Sequence, residues 1–257
     1  MEMQTVYSEQ CSDRIYDRHC HTHYEIIYVL GGSVTVNLEG SHYFLEKGSF
    51  LVIEPLRYHI VTGNNTLYHR LLVDFTRSEI PEDLHEKFDR RMRLQPVFSS
   101  GALSGCFEQL YHVHKDYADA HLPLLNAVFV QALYMLSFTE VIRQTAPEER
   151  KGKLLQAVIS YVDENMSKTI SLRELAEYLF VSESTLCHMF KEEMKISLKQ
   201  YILRKKMMYA KSLILAGTTP GEAATACGYK NYASFYKVFL KFTGQSPSAL
   251  SFAKKEM

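Results

Sequence analysis

The sequence lacks the features that would assign it to several common classes of protein. It contains no run of about 18 apolar residues and no signal-peptide pattern, so we expect a chain that neither spans a membrane nor is secreted but works in the cytoplasm. No glycine-rich phosphate-binding loop is present, and no Ser-His-Asp or Cys-His constellation can be placed. These absences argue against an enzyme, and we expect no cofactor.

Cysteine is also scarce, and its pattern excludes the usual cysteine-based sites. The five cysteines are an odd number at irregular spacings, and no two of them form a CxxC pair. In a reducing compartment such residues are free thiols rather than disulfides. They are Cys11, Cys20, Cys106, Cys187 and Cys227.

Net charge is absent as well, but the zero total conceals an asymmetry between the halves of the chain. Residues 1–150 carry 13 Lys and Arg against 20 Asp and Glu, whereas residues 151–257 carry 16 against 9. A basic half is the electrostatic signature of a protein that binds a polyanion, and an acidic half is not. The second half is therefore the candidate for contact with nucleic acid.

A chain of 257 residues with 46% apolar residues is large enough for two domains with separate cores. The first half is predicted to be a β domain over residues 1–98, because short apolar runs alternate with turn residues. Regular spacing of short strands favours a closed antiparallel barrel or a double-sheet jelly roll. Two glycines at Gly31 and Gly32 suit a tight hairpin turn. The predicted strands are 24–30, 33–38, 42–45, 49–53, 58–61 and 68–75.

The flanking segments are less regular. We assign no structure to residues 1–18, and the charged residues 82–98 are expected to form an exposed connection. Two helices are predicted over 103–117 and 122–141, and the second is apolar nearly all round, so it must be buried against the β domain or against another subunit. Residues 99–145 are therefore expected to form a helical segment that either packs in the core of one chain or forms a dimerisation contact. A linker over 145–153 precedes the basic domain, residues 150–257.

The first β strand carries the candidate residues of a binding pocket. Because strand side chains alternate, His21, His23 and Glu25 are expected to share one face, which a barrel turns inward. His59 could join them from a later strand, whereas Tyr28 belongs to the opposite face.

From residue 171 onward the pattern predicts two short amphipathic helices joined by a brief turn, which is a helix-turn-helix. Ser171 and Glu174 form a capping box before the first helix, and Ser182 is a good N-cap for the second. The apolar residues follow helical spacing, with Leu172, Leu175, Ala176 and Leu179 on the first helix and Leu186, Met189 and Phe190 on the second.

The pattern occurs twice. Ala176 is matched by Ala224 at an offset of 48, and Leu186 by Phe235 at an offset of 49. Residues 198–216 between the copies read as one helix, roughly 28 Å long at about 1.5 Å per residue. The two second helices could then lie roughly 34 Å apart and enter successive major grooves on one face of DNA.

At these residues the chain resembles the AraC-type transcription regulators. The segments SLRELAEYLFVSESTLCHMFK, YILRKKMMYAKSLI and GYKNYASFYKVFLKFTGQSP resemble that family's DNA-binding domain over roughly residues 154–250. HCHTHYEIIYVLGGSVTV and EKGSFLVIEPLRYHIV resemble the two halves of the cupin pattern found at the N-terminus of such regulators. The resemblance implies an α+β protein with a cupin-like effector domain, a helical hairpin and an all-α double helix-turn-helix domain.

The predicted DNA-contacting residues lie opposite the apolar stripe of each second helix, and most of them match base-contacting positions of the family. His188 and Lys237 stand where the family usually has arginine, so bidentate recognition of guanine is lost at both. The operator cannot be inferred by analogy. The set is Ser182, Ser184, Thr185, Cys187, His188, Lys191, Tyr232, Ala233, Ser234, Tyr236, Lys237 and Lys241.

The effector-binding residues are predicted to be His21, His23, Glu25 and His59. Three imidazoles and a carboxylate could hold a metal, as similar sets do in cupin enzymes. Those enzymes, however, place three or four residues between the second histidine and the glutamate, whereas only Tyr24 separates His23 from Glu25. We therefore assign no metal ligand and favour an organic effector, with a metal or a purely structural polar cluster as alternatives.

The expected function is sequence-specific regulation of transcription in response to a small molecule. Its partners would be double-stranded DNA, the effector, a second copy of the chain and, for an activator, RNA polymerase. The alternatives are a cupin enzyme with a DNA-binding appendage and an architectural DNA-binding protein without a ligand.

Overall fold

The computed structural model describes residues 2–8, 19–63, 68–94, 97–99, 101–117, 122–138 and 151–253. The chain divides into two compact units, Met1–Pro147 and Glu148–Met257. No helix within the described ranges is both long enough and apolar enough to cross a membrane. The first unit combines two β-sheets with helices, and the second is helical throughout.

The strands of the first unit form two antiparallel sheets, a five-stranded sheet in the order β1-β7-β2-β5-β8 and a three-stranded sheet in the order β4-β3-β6. Among the described residues they do not close into one barrel, so the double-sheet alternative is the one observed. The strands are β1 Glu2–Ser8, β2 Tyr24–Gly31, β3 Ser33–Leu38, β4 Ser41–Glu46, β5 Ser49–Ile53, β6 His59–Gly63, β7 Tyr68–Phe75 and β8 Val97–Ser99.

The hairpin predicted at Gly31 and Gly32 is wrong, although the strands on either side are correct. β2 pairs with β5 and β7, whereas β3 pairs with β4 and β6 in the other sheet. The chain crosses between sheets here, and Gly32 takes a φ of 72° to do so. A glycine pair permits a sharp change of direction, but it does not specify which strands then pair.

Side chains of β2 alternate between two cores, as a regular strand requires. Ile27 and Val29 lie in the core between the sheets. Ile26 and Tyr28 face the opposite side and pack in a larger core with the helices of this unit. Tyr28 therefore lies on the opposite face from Ile27, as predicted, with its ring 5.3 Å from that of Phe107.

The exposed connection expected over residues 82–98 is wrong. Most of it forms helix α1, His85–Leu94, in which Phe88, Arg91 and Met92 are buried. Charged residues alternate with apolar ones at helical spacing, so a charged segment still buries one face. The strands β1 and β8, which no sequence pattern indicated, pair with β7 and β5 at the two edges of the larger sheet.

Two further helices complete this unit, α2 Gly101–Tyr117 and α3 Leu122–Phe138. Both contribute to the core beneath the five-stranded sheet, through residues such as Phe107 and Phe129. α3 is only half covered in the single chain, because Leu122, Leu124 and Phe138 on it are exposed. Residues 139–141 of the predicted helix lie outside the described residues.

The second unit contains seven helices in its described part, and two pairs of them are helix-turn-helix motifs. The paired helices α5 and α8 have the same length, as do α6 and α9, in agreement with the internal duplication. The helices are α4 Lys151–Glu164, α5 Leu172–Tyr178, α6 Glu183–Met194, α7 Leu198–Ala216, α8 Pro220–Ala226, α9 Tyr232–Thr243 and α10 Pro247–Ala253.

The helix boundaries follow from their caps. Ser171 and Ser182 accept backbone hydrogen bonds at the N-termini of α5 and α6, as predicted, although the contacts described for Ser171 include only one of the two hydrogen bonds of the predicted capping box. Asn231 has the same role before α9. These side chains satisfy amide groups that have no partner within the helix, which stabilises each cap by about 1 kcal/mol.

Two adjacent lysines in the middle of α7 are buried, which is unusual for this residue type. Lys205 pairs with Asp163 on α4. Lys206 donates to two carbonyl oxygens. One belongs to Lys168, which precedes the first helix-turn-helix motif, and the other to Cys227, which caps the C-terminus of α8 in the second motif. Burial lowers the pKa of Lys206. The ammonium group of Lys206 thus links α7 to the segment before the first motif and to the second motif.

Candidate effector and DNA-binding sites

The predicted effector residues gather where β2 and β6 begin. Glu25 is the second residue of β2 in the larger sheet, and its side chain lies on the same face as Ile27, toward the smaller sheet. His59 is the first residue of β6 in the smaller sheet. Both are buried, at 7% and 1% exposure. Each sheet therefore contributes one buried polar side chain, and the two side chains are in contact.

His19 joins this cluster, although the sequence analysis did not select it. Its backbone forms an isolated bridge with His59, in which each amide donates to the carbonyl of the other residue, at 3.1 and 3.0 Å. The two imidazole rings lie 4.4 Å apart between centroids. This backbone pairing places His19 beside a residue that is 40 positions away in the chain (59 minus 19).

The imidazoles of His21 and His59 are held in the same way. The Nδ1 atom of His21 lies 2.8 Å from the carbonyl oxygen of His23, and that of His59 lies 3.1 Å from the carbonyl oxygen of Arg57. Since a carbonyl oxygen only accepts, each Nδ1 carries a proton and donates it. Both Nε2 atoms then face Oε2 of Glu25, at 2.9 and 3.2 Å.

These contacts determine the charge of Glu25. Burial by itself would raise the pKa of the Glu25 carboxyl, but the neighbouring imidazoles of His21 and His59 outweigh that effect and hold the pKa well below its usual range. The carboxyl group is therefore an ionised acceptor, directed at two histidine nitrogens inside the protein.

His23 has a different position from the one expected. β2 begins at Tyr24, so the strand alternation used to align His23 with Glu25 does not extend to it. Instead, its ring stacks on that of His21, with 4.0 Å between centroids and 4° between planes. Its Nε2 atom lies 3.6 Å from Asp74, and its side chain is one-third exposed. Three of the four predicted residues are thus brought together, with His23 beside them.

A signal for His19 was present in the sequence. When the histidine pair is taken as His19 and His21, three residues separate the second histidine from Glu25. This is the spacing that appeared to be missing when the pair was taken as His21 and His23.

The first predicted DNA-facing helix, α6, has the expected division between its two faces. Leu186, Phe190 and Met194 are buried, whereas Ser184, Thr185, His188 and Lys191 are exposed and Cys187 is half-buried. The Ser182 hydroxyl caps the helix by accepting from the Thr185 amide at 3.1 Å. His188 has a side chain exposed to 83%.

The second predicted DNA-facing helix, α9, repeats the arrangement. Phe235 and Phe239 are buried. The exposed residues on its other faces are Tyr232, Ala233, Ser234, Lys237 and Lys241, and Tyr236 is half-buried. The polar surface of each motif is therefore available to a partner.

A basic cleft of about 690 Å³ lies between the two motifs of the second unit. Arg173, Lys199 and Lys230 line it, together with residues from the starts of both α6 and α9. No single sequence motif contains these three residues, because they come from three separate elements. Glu183 also lines the cleft and Arg173 pairs with Glu177, but basic residues outnumber acidic ones in the lining, which suits a phosphate backbone.

Comparisons with known proteins give a family match for each of the two units. A family model described as an AraC-like ligand binding domain matches residues 3–120. A second model, described as a helix-turn-helix domain, matches residues 175–251. The first match contains the histidine cluster, and the second contains α6 and α9.

The probable transcriptional regulator LumQ of Photobacterium leiognathi is 33% identical over 108 residues, which cover 41% of this chain and 44% of LumQ. The HTH-type transcriptional regulator YdiP of Escherichia coli (strain K12) is 26% identical over 240 residues, which cover 87% of this chain and 77% of YdiP. The crystal structure of ToxT from Vibrio cholerae O395 is 12% identical, with a TM-score of 0.42, over 98% of this chain and 96% of ToxT. The chain thus spans less than half the length of LumQ and about three quarters of that of YdiP.

Proposed function

Because the chain belongs to the AraC-type transcription regulators, with a ligand-binding domain followed by a helix-turn-helix domain, we propose that a small ligand at the histidine cluster controls how α6 and α9 engage a specific DNA site. Its named relatives are transcription regulators rather than enzymes. We accordingly propose a regulator without catalytic activity, acting in the cytoplasm.

The observation that carries the DNA-binding proposal is the exposure of one polar face on each of α6 and α9 within a single basic unit. His188 and Lys237 are the proposed base-reading residues, since both are exposed near the middle of these faces. Lys191 and Lys241 are the proposed phosphate contacts, since both are exposed on the same helices. Arg173, Lys199 and Lys230 in the basic cleft would hold the DNA backbone between the two grooves.

The proposed effector site is supported by its burial and by its unusual chemistry. Glu25 and His59 are buried polar groups on strands that enclose the apolar core between the two sheets. In this structure Glu25 contacts His21 and His59, and a bound ligand could replace these contacts with its own. A ligand that contacts both residues would bridge the two sheets. The resulting shift between the sheets is the proposed structural signal to the DNA-binding unit.

We further propose that the chain acts as a homodimer through α3. Leu122, Leu124 and Phe138 are exposed on a helix whose other face is in the core. Contact with a second copy would remove these apolar side chains from water. If the regulator is an activator, RNA polymerase is a further partner.

DNA binding can be tested by selection of sites from a random library with the full-length protein, followed by measurement of affinity at several salt concentrations. We expect one asymmetric site of about 20 base pairs, since two tandem motifs contact grooves one turn apart. Affinity should fall steeply with salt, and Lys230→Ala should reduce the slope of log K against log salt by about 1. Failure to enrich any sequence, or an affinity independent of salt, would exclude this function.

The effector proposal is tested in cells by a reporter placed behind the selected site. Glu25→Gln is expected to abolish the response to effector, while the purified variant still binds the site with the affinity of the original protein. His112→Ala serves as the control, because this histidine is exposed on α2 and lies outside the cluster. Parallel loss of DNA binding and of soluble yield in Glu25→Gln would indicate a structural role instead.

A further inference from the structure

The cluster at the start of β2 and β6 contains four side chains with metal-binding atoms. His19, His21, Glu25 and His59 each offer one nitrogen or oxygen, and these atoms all lie within 4.8 Å of one another. Imidazole nitrogen and carboxylate oxygen are ligands that zinc, nickel, cobalt and iron accept. A set of three imidazoles and one carboxylate is sufficient for a complete tetrahedral site.

The spacing of the innermost atoms already suits such a site. In a tetrahedral zinc centre with Zn–N bonds of about 2.0–2.1 Å, neighbouring ligand atoms lie about 3.4 Å apart. Oε2 of Glu25 lies 2.9 Å from Nε2 of His21 and 3.2 Å from Nε2 of His59. To complete the coordination sphere, the inner atoms would separate slightly and the outermost atoms, which lie up to 4.8 Å apart, would move closer together.

The hydrogen bonds on the far side of the rings prepare the Nε2 atoms for a metal. His21 and His59 each donate the Nδ1 proton to a backbone carbonyl, so the second nitrogen of each ring, Nε2, points into the cluster and is the one that could bind a metal. Histidines that bind metals make the same kind of outer hydrogen bond, which sets the tautomer and the ring orientation. Main-chain atoms provide these bonds, so the arrangement depends on the fold itself.

Protons alone provide fewer partners for the Nε2 atoms and the Glu25 carboxylate than a metal cation would. A proton on Nε2 of His21 would complete its contact with Glu25, because the distance is 2.9 Å. Because Nδ1 of His59 already carries a proton, its Nε2, which lies 3.2 Å from the same oxygen, can donate there only when the ring carries a second proton and a positive charge. Buried polar atoms in folded proteins nearly always have a partner. One cation at the centre would serve His21, His59 and Glu25 together.

The cluster is also accessible. His59 and Glu25 form its buried side, whereas His19 is exposed and lies at the surface. The backbone bridge between His19 and His59 keeps this third imidazole close to the others. Among the described residues, the cluster therefore reaches from the protein surface at His19 to the buried pair Glu25 and His59.

We propose that His19, His21, Glu25 and His59 bind one divalent first-row transition-metal ion, which is the ligand of the effector site. His23 is a positioning residue, because its ring stacks on His21 and its carbonyl accepts the Nδ1 proton. The assignment rests on the proposed function insofar as the ion acts as effector. Since Glu25 and His59 belong to different sheets, binding of the ion joins the two sheets.

The test uses full-length protein that has been stripped with a chelator and dialysed. Co²⁺ is added while the visible absorption spectrum is recorded, and Zn²⁺ binding is measured by calorimetry. We expect one ion per chain, with the absorption bands of a four-coordinate cobalt site bound by nitrogen and oxygen. Glu25→Gln and His59→Ala should each weaken binding by roughly 100-fold or more, since even loss of an outer hydrogen-bond partner costs about 10–100-fold.

Two variants serve as matched controls. His112→Ala removes an exposed histidine on α2 and should leave the affinity for Co²⁺ unchanged. His23→Ala keeps the backbone carbonyl that accepts from His21, so one ion should still bind per chain. Glu25→Gln preserves the size of the side chain and decides the result if His59→Ala does not fold.

Absence of Co²⁺ and Zn²⁺ binding by the folded protein would overturn the metal site, as would an affinity unchanged in Glu25→Gln. DNA binding is measured on the same samples with and without the ion. A chain that binds its DNA site and responds to an organic metabolite, but binds no metal, would refute this inference and leave the proposed function standing. A chain that binds the ion without any change in DNA binding would retain the metal site and refute the effector role.

Discussion

Phe180 and Gly228 occupy the same position in the two helix-turn-helix motifs, and both have a left-handed backbone, with φ of 56° and 77°. In each copy the amide of the following residue donates to an alanine carbonyl on the preceding helix, at 3.0 Å in both. The turn is therefore the same in both motifs. Only the second copy has the residue type that favours this conformation.

The two positions are expected to respond in opposite ways to substitution. Phe180 is 96% exposed, so Phe180→Gly removes backbone strain of about 1–2 kcal/mol at an entropic cost of about 0.5–1 kcal/mol. A Cβ at Gly228 would lie 2.8 Å from the backbone of Lys168, so Gly228→Ala should destabilise the protein by about 2 kcal/mol or more. Urea unfolding measures both. Equal effects of the two substitutions would show that the turns differ in solution.

Replacement of Lys206, one of the two buried lysines on α7, should reduce the stability of the protein. Lys206→Met leaves the carbonyls of Lys168 and Cys227 without their donor, which we expect to lower the free energy of unfolding by about 1–3 kcal/mol. Lys199→Met on the same helix is the control, since this lysine is exposed and its loss should change stability by less than about 0.5 kcal/mol. Chemical denaturation would refute the bridging role if both variants unfolded at the same midpoint.

One substitution on each of α6 and α9 can distinguish a residue that reads a base from a residue that contacts only phosphate. His188→Ala should relax the preference at one base pair by about 1 kcal/mol or more, whereas Lys241→Ala should weaken binding to all sequences alike. Selection on randomised sites, followed by affinity measurements, distinguishes the two patterns. An unchanged selected sequence for His188→Ala would mean that this face of α6 does not enter the groove.

The cysteines of the second unit should differ in reactivity. Burial raises the pKa of the Cys227 thiol to about 11, and its side chain has no exposed surface. Cys187 on α6 is only half-buried. At about pH 8 the native protein should be alkylated with iodoacetamide at Cys187 well before Cys227, because the thiolate is the reactive form. Site-resolved mass spectrometry measures both rates, and comparable rates in the folded protein would contradict the packing around α8.

Much of the secondary structure could be predicted because its determinants are local. The strands 33–38, 49–53 and 68–75 match β3, β5 and β7 at both ends, and the long helix 198–216 matches α7. Side-chain periodicity and helix caps lie within a few residues of the elements that they specify. Within the described ranges Cys106, Cys187 and Cys227 are free thiols, as expected, and Cys11 lies outside those ranges.

Strand pairing could not be predicted from the same patterns. Gly31 and Gly32 indicated a turn correctly, but the two strands that they connect belong to different sheets. β1 and β8 were missed because pairing at a sheet edge depends on partners far away in the chain. The charged segment 82–98 was misjudged for a related reason, since only the packing of α1 shows which of its residues are buried.

By itself the sequence determined the duplicated helix-turn-helix pattern, the basic second half and the family, because each depends on residue types at short spacings. Only the tertiary structure decided which histidines meet. Strand alternation aligned His23 with Glu25, but β2 begins after His23, and the backbone bridge to His59 brings in His19 instead. A binding site of this kind is assembled by hydrogen bonds between distant segments, so its geometry exists only when both sheets are formed.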